Sequence, residues 1–288
     1  MVEHFLAKED VESSSLFTRS TPLTGSDFAL DPTRFIHELS PGLAYASPTV
    51  LWRGWDAAEI ALSFDDGPHP PSTGPLLDLL EARRVRATFF LLGKHLADPA
   101  THPVVRRMHH AGHQIGLHGW SHRPFPGMPW RVLARELLAT RRLVCRITGG
   151  SAGEFCFVRP PFGAFTPMLA ARLERWRFQV TMCNVLPMDW LPEVSDELVV
   201  ARVVRDTAAG GSLVAMHDGV DLTDAAALRV VRCTGRILDA LGERFRFVTA
   251  RALLPPEADR YSRRHPERRS PQACFGSAQG KPSNNRAT

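Results

Sequence analysis

The chain alternates between short, continuous apolar runs and longer stretches in which apolar positions recur every three to four residues. Seven runs read as buried strands: Ile60–Phe64, Ala87–Leu92, Gln114–Leu117, Phe155–Val158, Phe178–Asn184, Ser212–Met216 and Phe245–Val248. Helical patterns lie between them. The clearest covers Trp130–Thr148, where Leu133, Leu137, Thr140, Val144 and Ile147 form one stripe. Leu169, Leu173 and Trp176 repeat the pattern behind Pro167, a residue suited to a first helical turn. Asp196–Ala209 runs to Gly210-Gly211, and Asp224–Leu241 runs to Gly242; glycine is a natural helix stop. Strands alternating with helices of this length imply parallel pairing through crossovers, in a barrel or a doubly wound sheet. In either, chemistry gathers at the carboxyl ends of the strands.

The two ends of the chain break the pattern. Residues 1–30 are polar and rich in Ser and Thr, and a flexible segment is expected there. Residues 31–255 read as one catalytic domain, and residues 256–288, which lack periodicity, as a disordered basic tail. Net charge is +5, and residues 257–288 carry seven cations against three acids, so the periodic region is close to neutral. Nucleic-acid binding would rest on that tail alone and is not expected. The five cysteines (Cys145, Cys156, Cys183, Cys233 and Cys274) include no Cys-x-x-Cys pair, which leaves reduced thiols as the simplest reading. No run of about 18 apolar residues predicts a transmembrane helix, and the first residues lack the apolar core of a signal peptide. The expected compartment is the cytoplasm, or outside it if the true start lies elsewhere. Oligomeric state has no signature in the sequence.

The residues that follow the strands change the picture. Asp65-Asp66 follow the first run, and His118-Gly119-Trp120-Ser121-His122 follow the third. Arg159-Pro160-Pro161-Phe162-Gly163 follow the fourth, Pro187-Met188-Asp189-Trp190 the fifth and His217-Asp218-Gly219 the sixth. Five strands thus end in ionisable groups on what should be one face. His118 and His122 are four apart, a spacing that on a helical turn sets both imidazoles on one side for one metal. Gly119 stands where a zinc protease would have its glutamate, so that reading fails. Two histidines and one carboxylate form a catalytic zinc-type set with positions left for water and substrate. Such an ion lowers the pKa of its water from about 15.7 towards 7, and a second carboxylate is then needed to accept the proton. Neighbouring side chains on a strand point to opposite faces, so Asp65 and Asp66 can share a site only where the strand has ended. Gly67-Pro68 is expected to make that break. One aspartate would hold the metal and the other would act as base.

The segments "SFDDGP", "HGWSH", "RPPFG", "MDW" and "LVAMHDG", in this order and spacing, resemble the five motifs of the polysaccharide deacetylase family. This is the group of the NodB-homology domain and of chitin and peptidoglycan N-acetylglucosamine deacetylases. The resemblance runs from about residue 58 to 250. It implies an α/β fold, a distorted (β/α) barrel with about seven parallel strands in a single catalytic domain. It implies hydrolysis of the N-acetyl group of N-acetylglucosamine-containing oligo- or polysaccharides, giving acetate and a free amine. Asp66, His118 and His122 would bind a divalent metal, zinc first, with cobalt, nickel or manganese as substitutes. Asp65 would be the general base and His217 the general acid. Arg159 would position Asp65, and Asp189 would orient His217. Trp190 would line the acyl pocket, and the backbone N–H of Phe162 would stabilise the oxyanion. The partner implied is an acetylated glycan.

Four positions depart from the commonest family pattern: Gly119 for Ser or Thr, Phe162 for Tyr, Leu186 for an extra Asp, and Ala215 for a Leu that packs on the acetyl methyl. Ala215 implies an acyl pocket roomy enough for groups larger than acetyl. The alternatives are an O-acetyl esterase or a deformylase on another glycan, and an inactive carbohydrate-binding protein.

Overall fold

The structure, a computed structural model, describes residues 50–219 and 224–255. The expectations for residues 1–30 and 256–288, with Cys274, and the expected start of the catalytic domain at residue 31 lie outside the described residues. Among the described residues there are seven parallel strands: Glu59–Asp65 (β1), Thr88–Leu91 (β2), Gln114–Leu117 (β3), Phe157–Val158 (β4), Gln179–Val180 (β5), Ser212–His217 (β6) and Arg246–Val248 (β7). The helices are Pro70–Ala82 (α1), Gly93–Leu96 (α2), His102–His110 (α3), Trp130–Thr148 (α4), Pro167–Arg175 (α5), Asp196–Asp206 (α6) and Asp224–Leu241 (α7). Each apolar run becomes a strand, but β4 and β5 keep only two residues each. Helix α6 stops at Asp206, short of the Gly-Gly pair, and residues 207–210 form a turn. The sequence pattern did not single out α1, α2 or α3.

Helix ends follow local chemistry. Thr166 caps α5 by accepting the Leu169 N–H, with Pro167 in the first turn. Ser195 caps α6 in the same way, and Asp196 and Glu197 sit at the positive end of its dipole. Helix α4 ends at Gly149 in the left-handed conformation. Its buried side chains include Leu133, Leu137, Thr140, Val144 and Ile147, the stripe predicted from spacing.

The strands run in the order β5-β4-β3-β2-β1-β6. Strand β6 pairs along one edge of β1; the other edge is shared, with β2 on its carboxyl half and β7 on its amino half. The segment after β5 closes the ring: Gln179-Val180 pair with β4, and Val185 bridges to Val214 of β6. The result is a distorted (β/α) barrel, buried on both faces as parallel sheets are. Ile60, Leu62 and Phe64 of β1 face the large core beneath the helices. Ala61 faces a smaller core inside the barrel, with Leu51, Phe90, Phe157, Cys183, Leu213, Ala215, Ala250 and Leu253. A fully buried Leu or Phe contributes about 1.5–3 kcal/mol, so the larger core carries most of the stability. Among the described residues, Cys145, Cys156, Cys183 and Cys233 are not joined in disulfides. No helix among the described residues is long and apolar enough to cross a membrane.

Candidate metal centre and active site

Parallel register brings the strand-end residues together. Asp65, the last residue of β1, pairs across the sheet with His217, the last of β6. Leu117 pairs with Val158, which sets His118 beside Arg159 on the next step. The strand break falls one residue earlier than the sequence suggested. Asp66 itself takes a positive φ of 73°, ahead of Gly67-Pro68, and this turn lets consecutive aspartates serve one space. Residues 118–122 are not helical either. The imidazoles meet because this segment is a loop with Gly119 at φ 82° and His122 at φ 60°. Phe162 (φ 60°) and Met188 (φ 64°) are left-handed as well. Four strand-end loops therefore hold a residue other than glycine in a conformation that costs of order 1–3 kcal/mol and persists only where surrounding contacts impose it.

One ligand atom each from Asp66, His118 and His122 lie within 4.8 Å of one another. The Nε2 atoms of His118 and His122 stand 3.3 and 3.0 Å from Asp66 Oδ1. Neither approach makes a hydrogen bond of sound geometry, and Oδ1 is buried without a partner. His118 Nδ1 lies 2.7 Å from the Arg159 carbonyl, which only accepts, so Nδ1 carries the hydrogen. In neutral His118 the Nε2 lone pair then faces the carboxylate, and two lone pairs converge on one buried spot. Burial pushes the Asp66 carboxyl up, but the imidazoles, when protonated, outweigh it and hold it below the usual carboxylate range. An anionic oxygen, two imidazole nitrogens and a tautomer fixed by a backbone carbonyl are the donor set and outer-sphere bond of a zinc-type site. The residues present fit a divalent ion.

Asp65 sits on the other side of this pair. Its Oδ1 accepts from Arg159 Nη1 at 2.7 Å. Arg159 is buried, stacks 4.1 Å over Phe90, and also donates to Ser63 Oγ and to the carbonyls of Thr181 and Met182. With four acceptors and a ring beneath it, the guanidinium has one orientation, and so does the carboxylate it holds.

Across the site, His217 Nδ1 lies 2.9 Å from Asp189 Oδ1, and the other Asp189 oxygen accepts the His217 backbone N–H at 2.8 Å. Burial alone would lower the imidazole pKa; the charge and hydrogen bond of Asp189, backed by Asp66 and Asp65, raise it to about 9. The Trp190 ring packs edge-on against His217 at 4.8 Å. The Phe162 ring is exposed and lies 4.5 Å from that of His122. Ala215 is buried inside the barrel beside Ser63 of β1, and Leu186 packs on the same inner cluster.

Several residues that shape this site were not read from the sequence. Ser63 links Arg159 to the β6 carbonyl of Val214. Arg229 of α7 donates to the carbonyls of Asp189, Leu191 and Val194 and to Asp196, anchoring the loop that carries Asp189. Glu136 of α4 bonds the loop between the two histidines. Asp218 is buried against Gly67: a Cβ on Gly67 would lie 2.7 Å from Asp218 Oδ1, and one on Gly219 would lie 2.2 Å from the Asp66 carbonyl. The Asp-Gly and His-Asp-Gly loops thus interlock, each glycine making room for the other loop's aspartate. The signal was present in the doubled Asp-Gly spelling; Glu136 and Arg229 had none, because each looks like an ordinary helix-surface charge.

Comparison with known proteins identifies the family. The sequence model for polysaccharide deacetylase matches residues 55–181. A chitooligosaccharide deacetylase of Rhizobium leguminosarum bv. trifolii is 31% identical over 189 residues, 65% of this chain and 84% of the relative. The peptidoglycan-N-acetylglucosamine deacetylase PgdA of Listeria monocytogenes is 33% identical over 170 residues, 59% of this chain, and the chain spans only 34% of its length. Among solved structures, the Bc1960 peptidoglycan N-acetylglucosamine deacetylase superposes with a TM-score of 0.65 at 26% identity, covering 72% of this chain and 92% of that one. A family 4 acetyl xylan esterase from Clostridium thermocellum gives 0.56 at 27% identity, covering 68% and 89%. The chain belongs to the polysaccharide deacetylase family and is a hydrolase of that family.

Proposed function

We propose that this protein is a metal-dependent N-deacetylase of glycans built from N-acetylglucosamine, releasing acetate and leaving a free amine. The observation that carries this reading is the division of labour between two adjacent carboxylates. Asp66 faces two imidazoles, while Asp65 is held by Arg159. Asp66, His118 and His122 would hold the divalent ion, for which zinc suits the donor set best, with cobalt, nickel or manganese as substitutes. When bound there, such an ion polarises the acyl oxygen and makes water more acidic.

The chain's own residues do the remaining work. Asp65 accepts the proton of the attacking water on the oxygen that Arg159 leaves free. The backbone N–H of Phe162 donates to the oxygen that gains negative charge at the acyl carbon, a contribution typically of about 2.7–4 kcal/mol. As the carbon–nitrogen bond breaks, the imidazolium of His217 gives its proton to the leaving nitrogen. Asp189 holds that imidazole charged and aimed. Trp190, against His217, forms one wall of the acyl pocket. Water supplies the new C–O bond, and its two hydrogens are accounted for on Asp65 and in the acid product.

Soluble chitooligosaccharide is the favoured substrate. The relatives named for it align over most of their length, whereas PgdA aligns over about a third. O-acetyl xylan is the second reading, favoured by the likeness to the Clostridium thermocellum esterase. The test is acetate release from a panel of N-acetylated chitooligosaccharides, peptidoglycan fragments and O-acetyl xylan, with chelator and with zinc restored. Zinc-restored release from the chitooligosaccharides is expected; release from xylan alone, or from none, would overturn the reading.

A further inference from the structure

The N–H groups at the middle of the loop that carries the two histidines are held by a carboxylate from α4. Glu136 lies on α4, and only 12% of its side chain is exposed. Its Oε2 accepts the backbone N–H groups of Trp120 and Ser121 at 3.0 and 3.2 Å, and its Oε1 accepts the Ser121 hydroxyl at 2.8 Å. Arg123 approaches the same oxygen at only 3.4 Å from a mostly exposed position, so solvent screens that pair. The carboxylate therefore serves the loop rather than an ion pair.

The carbonyls of the loop are paired from another side. The amino end of α2 donates from Gly93 and Lys94 to the carbonyls of Gly119 and Trp120, both at 3.0 Å. Thr140 Oγ1, one turn along from Glu136, lies 3.1 Å from the Gly119 carbonyl. Buried backbone groups need such partners, and here α4 and α2 supply them between His118 and His122. The loop needs the grip, because His122 is held at a strained φ of 60° where its imidazole meets that of His118, with ring centroids 5.3 Å apart.

We propose that Glu136 is a positioning residue of the metal centre: by gathering the N–H groups of Trp120 and Ser121, it fixes the separation of His118 and His122. It touches neither imidazole and acts through the loop. This rests on the reading that Asp66, His118 and His122 hold a metal.

The test is zinc affinity, measured by competition with a chromogenic chelator on the full chain. Glu136→Ala is expected to weaken zinc binding by about 10–100-fold, the usual cost of losing an outer-sphere support. Glu136→Gln, whose amide oxygen still accepts from the backbone, should lose less. Leu137→Ala, which loosens the same helix from its buried side, should keep wild-type affinity. Wild-type affinity in the Glu136 variants would overturn the proposal, as would an equal loss in Leu137→Ala. If neither of these Glu136 variants folds, Glu136→Asp, whose shorter side chain draws the carboxylate back from the two N–H groups, takes their place, and unchanged affinity there would overturn the proposal. A wild-type protein that binds no zinc sinks the metal site itself and this inference with it. Tight wild-type binding with unaltered variants sinks only this one.

Discussion

At the scale of single residues, the site works by giving like groups unlike surroundings. Two aspartates stand side by side, yet Arg159 engages one and two imidazoles face the other. His217 differs from His118 in the same manner. A carboxylate, rather than a carbonyl, takes its Nδ1 hydrogen and raises its pKa to about 9. The general acid proposed here must carry its proton, so kcat/KM should hold on the alkaline side until pH nears 9 and fall as pH rises through it. Asp189→Asn removes the charge that raises this pKa, and the alkaline limb should move down towards the ordinary histidine value of about 6.5. A pH–rate profile reads both, and an unmoved limb in the variant would break the link between Asp189 and His217. Ala215 makes a separate prediction about specificity. Restoring the family's bulk with Ala215→Leu should lower turnover of N-propionyl relative to N-acetyl chitooligosaccharide by about tenfold or more, the range for one methylene in an apolar pocket. Strict acetyl preference in the wild type would count against a widened pocket.

At the scale of elements, the parts that pack were legible and the parts that turn were not. The α4 stripe is visible because Leu133, Leu137, Val144 and Ile147 bury one face, and burial imposes the helical spacing. Leu137 is fully buried, so Leu137→Ala should cost about 2–5 kcal/mol in urea unfolding; a loss below 1 kcal/mol would mean that the helix is not seated as described. Helix α1 escaped notice because Pro70, Pro71, Gly74 and Pro75 read as breakers, although Leu76, Leu77 and Leu80 bury beneath it. Helix α3 buries only Val105 and Met108, too few to make a stripe amid its histidines and arginines. The loops depend on backbone angles that have no pattern in side-chain polarity. The spacing of His118 and His122 suggested a helical turn, and what brings them together is two left-handed residues. Asp66 likewise turns the chain before Gly67, in a conformation that sequence rules reserve mostly for glycine. Glu136 and Arg229 were illegible for a different cause: their partners are backbone groups far along the chain, which no local window contains.

At the scale of the whole molecule, the barrel acts as a register device. Its strands carry apolar residues inside and out, and five of them end in or lead on to the ionisable residues of the site. The net charge of +5 sits mostly beyond residue 256, while the residues of the proposed site lie between residues 65 and 218. Truncation after Pro255 should therefore leave acetate release within about twofold, the change being read in kcat/KM; loss of activity would assign the tail a part in the reaction. The most direct test of the metal centre is anomalous diffraction at the zinc edge from crystals of the zinc-loaded protein. A single peak within bonding distance of His118 Nε2, His122 Nε2 and an Asp66 carboxylate oxygen is the expected result. A zinc-loaded crystal with no peak at that position, or with the ion bound elsewhere, would contradict it.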